Sequence, residues 1–126
     1  MNDRDEARRV VGEIVEAYNR KDLPSLGRLY DPNIRLWSSL GESAVGRRAV
    51  MDHVAELFQR LPDEHMTAET VVTDGQSVVV ELTSRGTSSG GEQYEIQFTE
   101  VFELSAGLVN SIKTYIDPSQ VEAVES

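Results

Sequence analysis

Glu100 is the residue whose position most strongly suggests chemistry; it lies in residues 94–104, which read YEIQFTEVFEL. Because side chains alternate between the two faces of a strand, the even-numbered residues share one face, and all except Glu100 are apolar or aromatic. A carboxylate on such a wall loses hydration, which is costly unless it is protonated, paired or facing a polar cavity. We therefore predict that Glu100 is an acid, a base or a hydrogen-bond acceptor in a cavity. The alternatives are a strand end that opens to water, or an internal ion pair with an Arg or Lys.

The two histidines give a poor metal signal. His53 lies on the apolar stripe of a predicted helix, where it is either a catalytic group or a partly buried histidine with a satisfied hydrogen bond. His65 follows a predicted turn at residues 62–64 and is expected to be exposed. The two lack the carboxylate spacing of known metal motifs, so we expect no metal and no cofactor.

The composition excludes several classes of function. The chain has 126 residues, no cysteine and a net charge of −10, from 22 acidic and 12 basic residues. Disulfides and thiolate chemistry are therefore excluded, and repulsion argues against binding to nucleic acid or anionic membranes. No apolar run approaches the roughly 20 residues that cross a bilayer, and the start of the chain is charged rather than signal-like. We expect one domain, residues 1–126, in a cytoplasmic protein.

The first half of the chain reads as helices with one strand among them. Apolar spacing predicts a helix over about residues 4–20, and Asp22 is expected to cap a short second helix. Residues 31–33 read as a turn, residues 34–40 as a strand and residues 41–46 as a loop. A third helix is predicted over residues 47–61.

The second half reads as four antiparallel strands. Asp74-Gly75 joins the first two in a hairpin, a glycine pair precedes the strand of Glu100, and the last strand ends at Asp117-Pro118, where a short tail begins. The predicted fold class is α+β, with a curved antiparallel sheet wrapped around three N-terminal helices and a cone-shaped pocket between them.

Three segments carry a resemblance to a known superfamily. AYNRKDLPSLGRLYDPNIRLW, GRRAVMDHVAELF and YEIQFTEVFELSAGLVNSIKTYID together resemble the nuclear transport factor 2-like (NTF2-like) superfamily. That superfamily includes ketosteroid isomerases, limonene-epoxide hydrolases and SnoaL-like polyketide cyclases. The resemblance implies a cystatin-like α+β roll, a conical pocket and dimers formed through the sheet. It does not imply one activity, because the fold hosts enzymes and non-enzymes alike.

The ketosteroid isomerase site does not carry over. The position of its Asp base is Ser38 here, the position of its Tyr donor is Ile14, and only its protonated Asp has an acidic counterpart, Glu100. Without the base, steroid isomerisation is not expected.

The limonene-epoxide hydrolase site does not carry over either. Its Asp–Arg–Asp set corresponds to Thr114, Glu81 and Thr83, and its water-holding Tyr and Asn correspond to Leu36 and Ser38. Epoxide hydrolysis by that mechanism is not expected.

SnoaL-like cyclases remain as relatives, and they close a ring by aldol addition with an acid–base group. Glu100 is the candidate for that group, with His53 next. Tyr18 points toward the core, where its hydroxyl either reaches the cavity or only packs. The side chains expected to line the cavity are Tyr18, Leu36, Ser38, Leu57, Thr83, Ile96, Phe98, Phe102, Ile112, Thr114 and Ile116.

Two arguments conflict at Glu81. Alternation buries Val78, Val80 and Leu82 and sends Glu81 outward into solvent, where Arg85 is available as an ion-pair partner. The resemblance instead places Glu81 in the pocket, where two acids in one cavity would raise at least one pKa. We follow the resemblance and count Glu81 as a catalytic candidate.

Trp37 shares its strand face with Arg35 and Ser39, not with the apolar residues of that strand. A lone tryptophan on a polar face is often an interface anchor, so a dimer contact is favoured over a place in the pocket.

Taken together, Glu100 and the resemblance favour an acid–base isomerase or cyclase that acts on an apolar carbonyl compound such as a polyketide or terpenoid. The alternative is a non-catalytic homodimeric ligand carrier or association module.

Overall fold

The helices and strands were assigned in a computed structural model, which describes residues 2–125. Four helices are present in that range: α1 (Asp3–Asn19), α2 (Leu23–Leu29), α3 (Arg47–Arg60) and α4 (Pro118–Glu125). The first three lie where the apolar spacing predicts them. Asp22 caps α2 as expected, because its carboxylate accepts hydrogen bonds from the backbone N–H and the hydroxyl of Ser25.

Six strands form one curved sheet, and the fold class is α+β as predicted. The strands follow the spatial order β2-β1-β6-β5-β4-β3. Their bounds are β1 (Tyr30–Ser38), β2 (Ser43–Val45), β3 (His65–Thr73), β4 (Ser77–Thr87), β5 (Gln93–Ser105) and β6 (Leu108–Tyr115).

The sheet is mixed, whereas the sequence predicted a purely antiparallel one. β1 and β6 run parallel, with Leu36 paired with Ile112 and Ser38 with Thr114. The other neighbouring pairs are antiparallel. The parallel pair joins the strand between the helices to the last strand of the sequence, and strand periodicity alone carries no information on that pairing.

The turn predicted at residues 31–33 lies inside β1 instead. Asp31 does form a local turn, since its carboxylate accepts the N–H of Asn33 at 2.8 Å. The pairing with β6 passes over this point: Tyr30 pairs with Val109 and the next partner pair is Arg35 with Ser111. The turn residues thus form a bulge in a longer strand.

Two further elements differ from the prediction. The loop at residues 41–46 contains the short edge strand β2, which pairs with β1. The predicted C-terminal tail is the helix α4, which starts at Pro118 after Asp117 has accepted the N–H of Ser119 at 2.9 Å. Neither segment has the long apolar pattern by which helices and strands were recognised.

The core lies between the sheet and helices α1, α2 and α3. It contains Val11, Leu26, Ile34, Val50 and Phe102, each at most 2% exposed. No helix within residues 2–125 is long and apolar enough to cross a membrane.

Candidate functional site

A cavity of about 250 Å³ lies between the helices and the inner face of the sheet. Its walls are mainly apolar and come from α1, α3, α4, β1, β5 and β6. Most of the residues that the sequence analysis assigned to the cavity do line it: Tyr18, Leu36, Ser38, His53, Leu57, Ile96, Phe98, Glu100, Phe102, Ile112, Thr114 and Ile116.

Glu81 and Thr83 are the two candidates that do not line the cavity. Glu81 is exposed, while Val80 and Leu82 on either side of it are buried in the core. Thr83 shares the strand face of Glu81 and is 2% exposed. The placement of Glu81 in the pocket was therefore wrong, because alternation along β4 turns its side chain to the outer face of the sheet.

Glu100 lies in the middle of β5 and lines the cavity between Phe98 and Phe102. In the sheet register it is the direct neighbour of Thr114, and Thr114 in turn is the neighbour of Ser38. The hydroxyl of Thr114 donates a 2.7 Å hydrogen bond to Oε2 of Glu100. Within residues 2–125 no ion pair with Glu100 is present, so the ion-pair alternative is wrong.

The pKa of Glu100 is raised from 4.5 to about 7. Burial is the main cause, since the apolar walls disfavour the charged form, and the negative charge of Glu64 adds to the effect. The hydrogen bond from Thr114 opposes both by stabilising the carboxylate. Near neutral pH the group can therefore both accept and donate a proton.

Glu64 is a second carboxylate of the cavity, and the sequence analysis missed it. It is only 9% exposed although it lies in the connection between α3 and β3. Its Oε1 accepts a hydrogen bond from the Tyr18 hydroxyl at 2.6 Å, and its Oε2 accepts one from the Ser84 hydroxyl at 2.6 Å. The acid whose charge acts on Glu100 is thus Glu64 and not Glu81. The exposed Glu42 and Glu125 also border the cavity.

The C-terminal end of α1 fixes the backbone around Glu64. Asn19 forms two 2.8 Å hydrogen bonds with the backbone of Met66, one in each direction. Lys21 has a left-handed backbone (φ 59°), and its Nζ donates to the backbone oxygen of Glu64 at 2.6 Å. Burial lowers the pKa of Lys21, whereas the charge of Glu64 raises it in part.

Tyr18 reaches the cavity, and its hydroxyl donates its hydrogen bond to Glu64. Burial first, and then the charge and hydrogen bond of Glu64, raise the pKa of Tyr18 well above its usual value. The ring of Tyr18 meets that of Phe58 edge-on at 5.0 Å between centroids. Tyr18 therefore both packs and holds Glu64.

His53 lines the cavity, but within residues 2–125 it forms no hydrogen bond or ion pair with Glu100. Its Nδ1 is 3.5 Å from Oε2 of Glu42, an exposed residue that also lines the cavity. Within residues 2–125 no group of three or more metal-binding side chains is positioned to hold an ion.

One end of the cavity is bordered by α4. Val121, Val124 and Glu125 line it there, although α4 has no fully buried residue. Two hydrogen bonds hold the helix: the backbone N–H of Ser89 donates to the oxygen of Val124 at 3.1 Å, and the N–H of Gln97 donates to the Gln120 side chain at 3.0 Å.

Trp37 does not line the cavity. It lies on the outer face of the sheet, is 44% exposed, and packs against Tyr115 with ring centroids 5.3 Å apart. Its position agrees with the face predicted from the sequence.

The sequence profile of the SnoaL-like domain matches residues 11–112 of the chain. The chain belongs to the SnoaL-like domain family. The matched range includes α3, Glu64 and Glu100 and stops before Thr114. No curated protein sequence matches the chain.

Solved structures of several SnoaL-like and related proteins are similar to this fold. A protein provisionally described as a SnoaL-like polyketide cyclase, from Jannaschia sp. CCS1, has a TM-score of 0.87 at 18% identity and covers 97% of this chain and 93% of its own. A protein provisionally described as an isomerase, from Bacillus subtilis, has a TM-score of 0.87 at 20% identity. The match covers 100% of this chain and 98% of that protein. An LEH-like epoxide hydrolase from M. tuberculosis has a TM-score of 0.80 at 18% identity. The match covers 95% of this chain and 86% of that protein. These identities establish the NTF2-like fold alone.

The raised pKa of Glu100 makes the stability of the protein depend on pH. Between pH 4.5 and about 7 the folded state keeps a proton that the unfolded state has released, so the free energy of unfolding falls as the pH rises. The loss levels off as the pH rises past the folded-state pKa of about 7 and is at most about 3 kcal/mol, since one pKa unit corresponds to about 1.4 kcal/mol. Urea denaturation should show Glu100→Gln gaining stability relative to the wild type between pH 5 and pH 8.5.

The matched control is Glu81→Gln, the same change on the outer face of the neighbouring strand. We expect its free energy of unfolding to follow the wild type at both pH values. Parallel curves for wild type and Glu100→Gln would contradict the burial of an uncompensated carboxylate.

Tyr18→Phe should lower the free energy of unfolding by about 2 kcal/mol, because the buried carboxylate of Glu64 loses one of its two hydroxyl donors. Chemical denaturation at pH 7 measures the change. Tyr94→Phe is the control, since its hydroxyl lies 3.4 Å from Ser84 and makes no contact with Glu64. Equal decreases in the free energy of unfolding for the two variants would mean that the Tyr18–Glu64 hydrogen bond does not stabilise the fold.

Proposed function

We propose that this protein is a cofactor-free acid–base isomerase or cyclase that acts on a small apolar compound with a carbonyl group, of the polyketide or terpenoid kind. The observation that carries the proposal is the carboxyl group of Glu100 on the apolar wall of the cavity, oriented by Thr114. A pKa of about 7 suits a group that must first take and then return a proton near neutral pH. The names of the similar cyclase and isomerase structures support the same class of reaction.

The reaction would begin with enolisation. The carboxylate of Glu100 takes a proton from the carbon next to the carbonyl, the electron pair of that C–H bond forms a C=C bond, and the carbonyl oxygen becomes an enolate oxygen. In an isomerisation, protonated Glu100 returns the proton to another carbon of the conjugated system. In a cyclisation, the enolate carbon attacks a second carbonyl of the same molecule, and the new alkoxide takes the proton from Glu100.

The apolar walls contribute in two ways. They strengthen the basicity of Glu100 by excluding water, and they hold a flexible substrate in the compact shape that ring closure requires. Phe98 and Phe102 flank the carboxyl group along β5 and would contact the reacting part of the substrate.

Exchange of carbon-bound hydrogen in D₂O tests the proposal without knowledge of the natural substrate. Small cyclic ketones, 1-tetralone among them, are incubated with the protein at pH 7.5, and deuterium uptake next to the carbonyl is followed by NMR. We expect the wild type to accelerate uptake at least tenfold over buffer, and Glu100→Gln to return to the buffer rate. The rate should rise with pH as the carboxylate forms, reach half of its maximum at about pH 7 and level off at higher pH.

Glu81→Gln is expected to keep the wild-type rate, since its carboxylate lies outside the cavity. Tight ketone binding without exchange in the wild type would instead support the non-catalytic ligand carrier. Full exchange in Glu100→Gln would remove Glu100 from the reaction.

We also propose a homodimer formed through the outer face of the sheet. An exposed or half-exposed row crosses this face in register, from Val72 and Val79 through Val101 to Lys113 and Trp37. Arg35 of β1 and Lys113 of β6 make one half of this face basic, while Glu81 of β4 and Glu103 of β5 are acidic on the other half. Arg85 of β4 is already paired with Glu95. A second copy related by a two-fold axis would place the basic half of one sheet on the acidic half of the other.

Trp37→Ala should shift the protein toward monomer in sedimentation equilibrium, because it removes the largest apolar side chain of this face. Leu40→Ala is the matched control, since Leu40 is 38% exposed but lies outside the row. An unchanged mass for Trp37→Ala would exclude this face as the interface.

A further inference from the structure

Tyr30 is a buried tyrosine of the cavity that the proposed reaction has not yet used. It is 2% exposed and lines the cavity from the first position of β1. No hydrogen bond of its hydroxyl is present within residues 2–125. Every side-chain nitrogen or oxygen closed off from solvent in that range has a hydrogen-bond partner. The hydroxyl of Tyr30 must therefore reach the open space of the cavity.

The other hydroxyl groups of the cavity are engaged to different degrees. The proton of Tyr18 goes to Glu64, and the proton of Thr114 goes to Glu100. Ser38 accepts the N–H of Leu40 at 3.1 Å and keeps its own proton free. Tyr30, Ser38 and the exposed Ser89 are thus the hydroxyl donors available to a ligand. Tyr30 is the buried one whose hydroxyl has no hydrogen-bond partner within residues 2–125.

The backbone of Tyr30 is held firmly. Arg47 donates two hydrogen bonds to the Tyr30 backbone oxygen, from Nε at 3.1 Å and from Nη2 at 2.8 Å. On its other side Tyr30 pairs with Val109 of β6. A donor fixed in this way loses little freedom when a ligand binds, which favours its use as a binding group.

Tyr30 and Glu100 act on each other across the cavity. Burial, and then the negative charge of Glu100, raise the pKa of Tyr30 far above its usual value. The phenol thus keeps its proton when Glu100 is ionised, so that a donor and a base are present together at neutral and mildly alkaline pH.

We propose that the hydroxyl of Tyr30 donates a hydrogen bond to the carbonyl oxygen of the substrate while Glu100 moves the proton at carbon. The inference rests on the proposed function and adds the residue that stabilises the enolate oxygen. It also restricts the substrate, which must present a hydrogen-bond acceptor to Tyr30 and a C–H bond to Glu100 in the same bound position.

A matched pair of probes tests this without turnover. 1-Tetralone and tetralin have the same carbon skeleton, but only the ketone offers a hydrogen-bond acceptor, and neither can donate. Their affinities are measured by calorimetry at pH 8.5, where Glu100 is ionised and cannot donate to the ketone itself. We expect the wild type to bind the ketone up to about tenfold more tightly than the hydrocarbon.

Tyr30→Phe should reduce that preference to about one while leaving the affinity for tetralin unchanged, which also shows that the cavity is intact. The carbonyl stretching band of bound 1-tetralone should move back toward its frequency in an apolar solvent. Tyr94→Phe, which removes a buried hydroxyl that does not line the cavity, should keep both the preference and the band position.

Three results would overturn the proposal: no preference for the ketone in the wild type, a preference that survives in Tyr30→Phe, or a preference that is lost in Ser38→Ala alone. If Tyr30→Phe does not fold, an unshifted carbonyl band in the wild type is sufficient to overturn it. Failure of the proposed function is distinguishable, because a carrier would keep the ketone preference without deuterium exchange. An enzyme that does not use Tyr30 would keep exchange without the preference.

Discussion

The site depends on one electrostatic constraint, the placement of a carboxyl group on an apolar wall with a single hydroxyl to support it. A fully paired Glu100 would be a weak base, and one in bulk water would titrate far below neutral pH. The cross-strand neighbour Thr114 supplies one hydrogen bond, and the other residues of the described range 2–125 supply none that stabilises the charge. The sheet register therefore determines the chemistry, since it sets both the apolar neighbours along β5 and the hydroxyl beside it.

The second acid has the opposite surroundings. Glu64 receives two short hydrogen bonds from hydroxyl groups, and its backbone is held by the C-terminal end of α1. One cavity thus combines a carboxylate fixed by donors with a carboxyl group left nearly without them, and the first makes ionisation of the second harder.

Much of the fold and part of the site could be predicted from the sequence. Periodicity located the first three helices and the inner face of β5, and so placed Glu100 on the cavity wall. Side-chain alternation along β4 also predicted correctly that Glu81 faces outward. The resemblance to relatives of low similarity placed it in the pocket, and that prediction was wrong. A register match between distant homologues is less secure than the side-chain alternation of the strand itself, because a shift of one residue reverses the face.

Glu64 and Tyr30 could not be found in this way, since each lies where one element ends and another begins. Glu64 occupies a connection with no periodicity, and Tyr30 is the last residue before a bulge that the sequence presents as a turn. Their burial results from contacts with α1, Arg47 and β6, which are distant along the chain. Likewise, the pairing of β1 with β6 could not be predicted, because the two strands are distant along the chain.

The parallel contact between β1 and β6 has a consequence for how the protein is made. Leu36 is synthesised well before Ile112, its neighbour in the sheet, which lies far along the chain. Closing so long a loop is entropically unfavourable until the intervening hairpins have formed. The cavity should therefore form late, and a nascent polypeptide should not bind ligand until the strand that contains Ile112 has been synthesised.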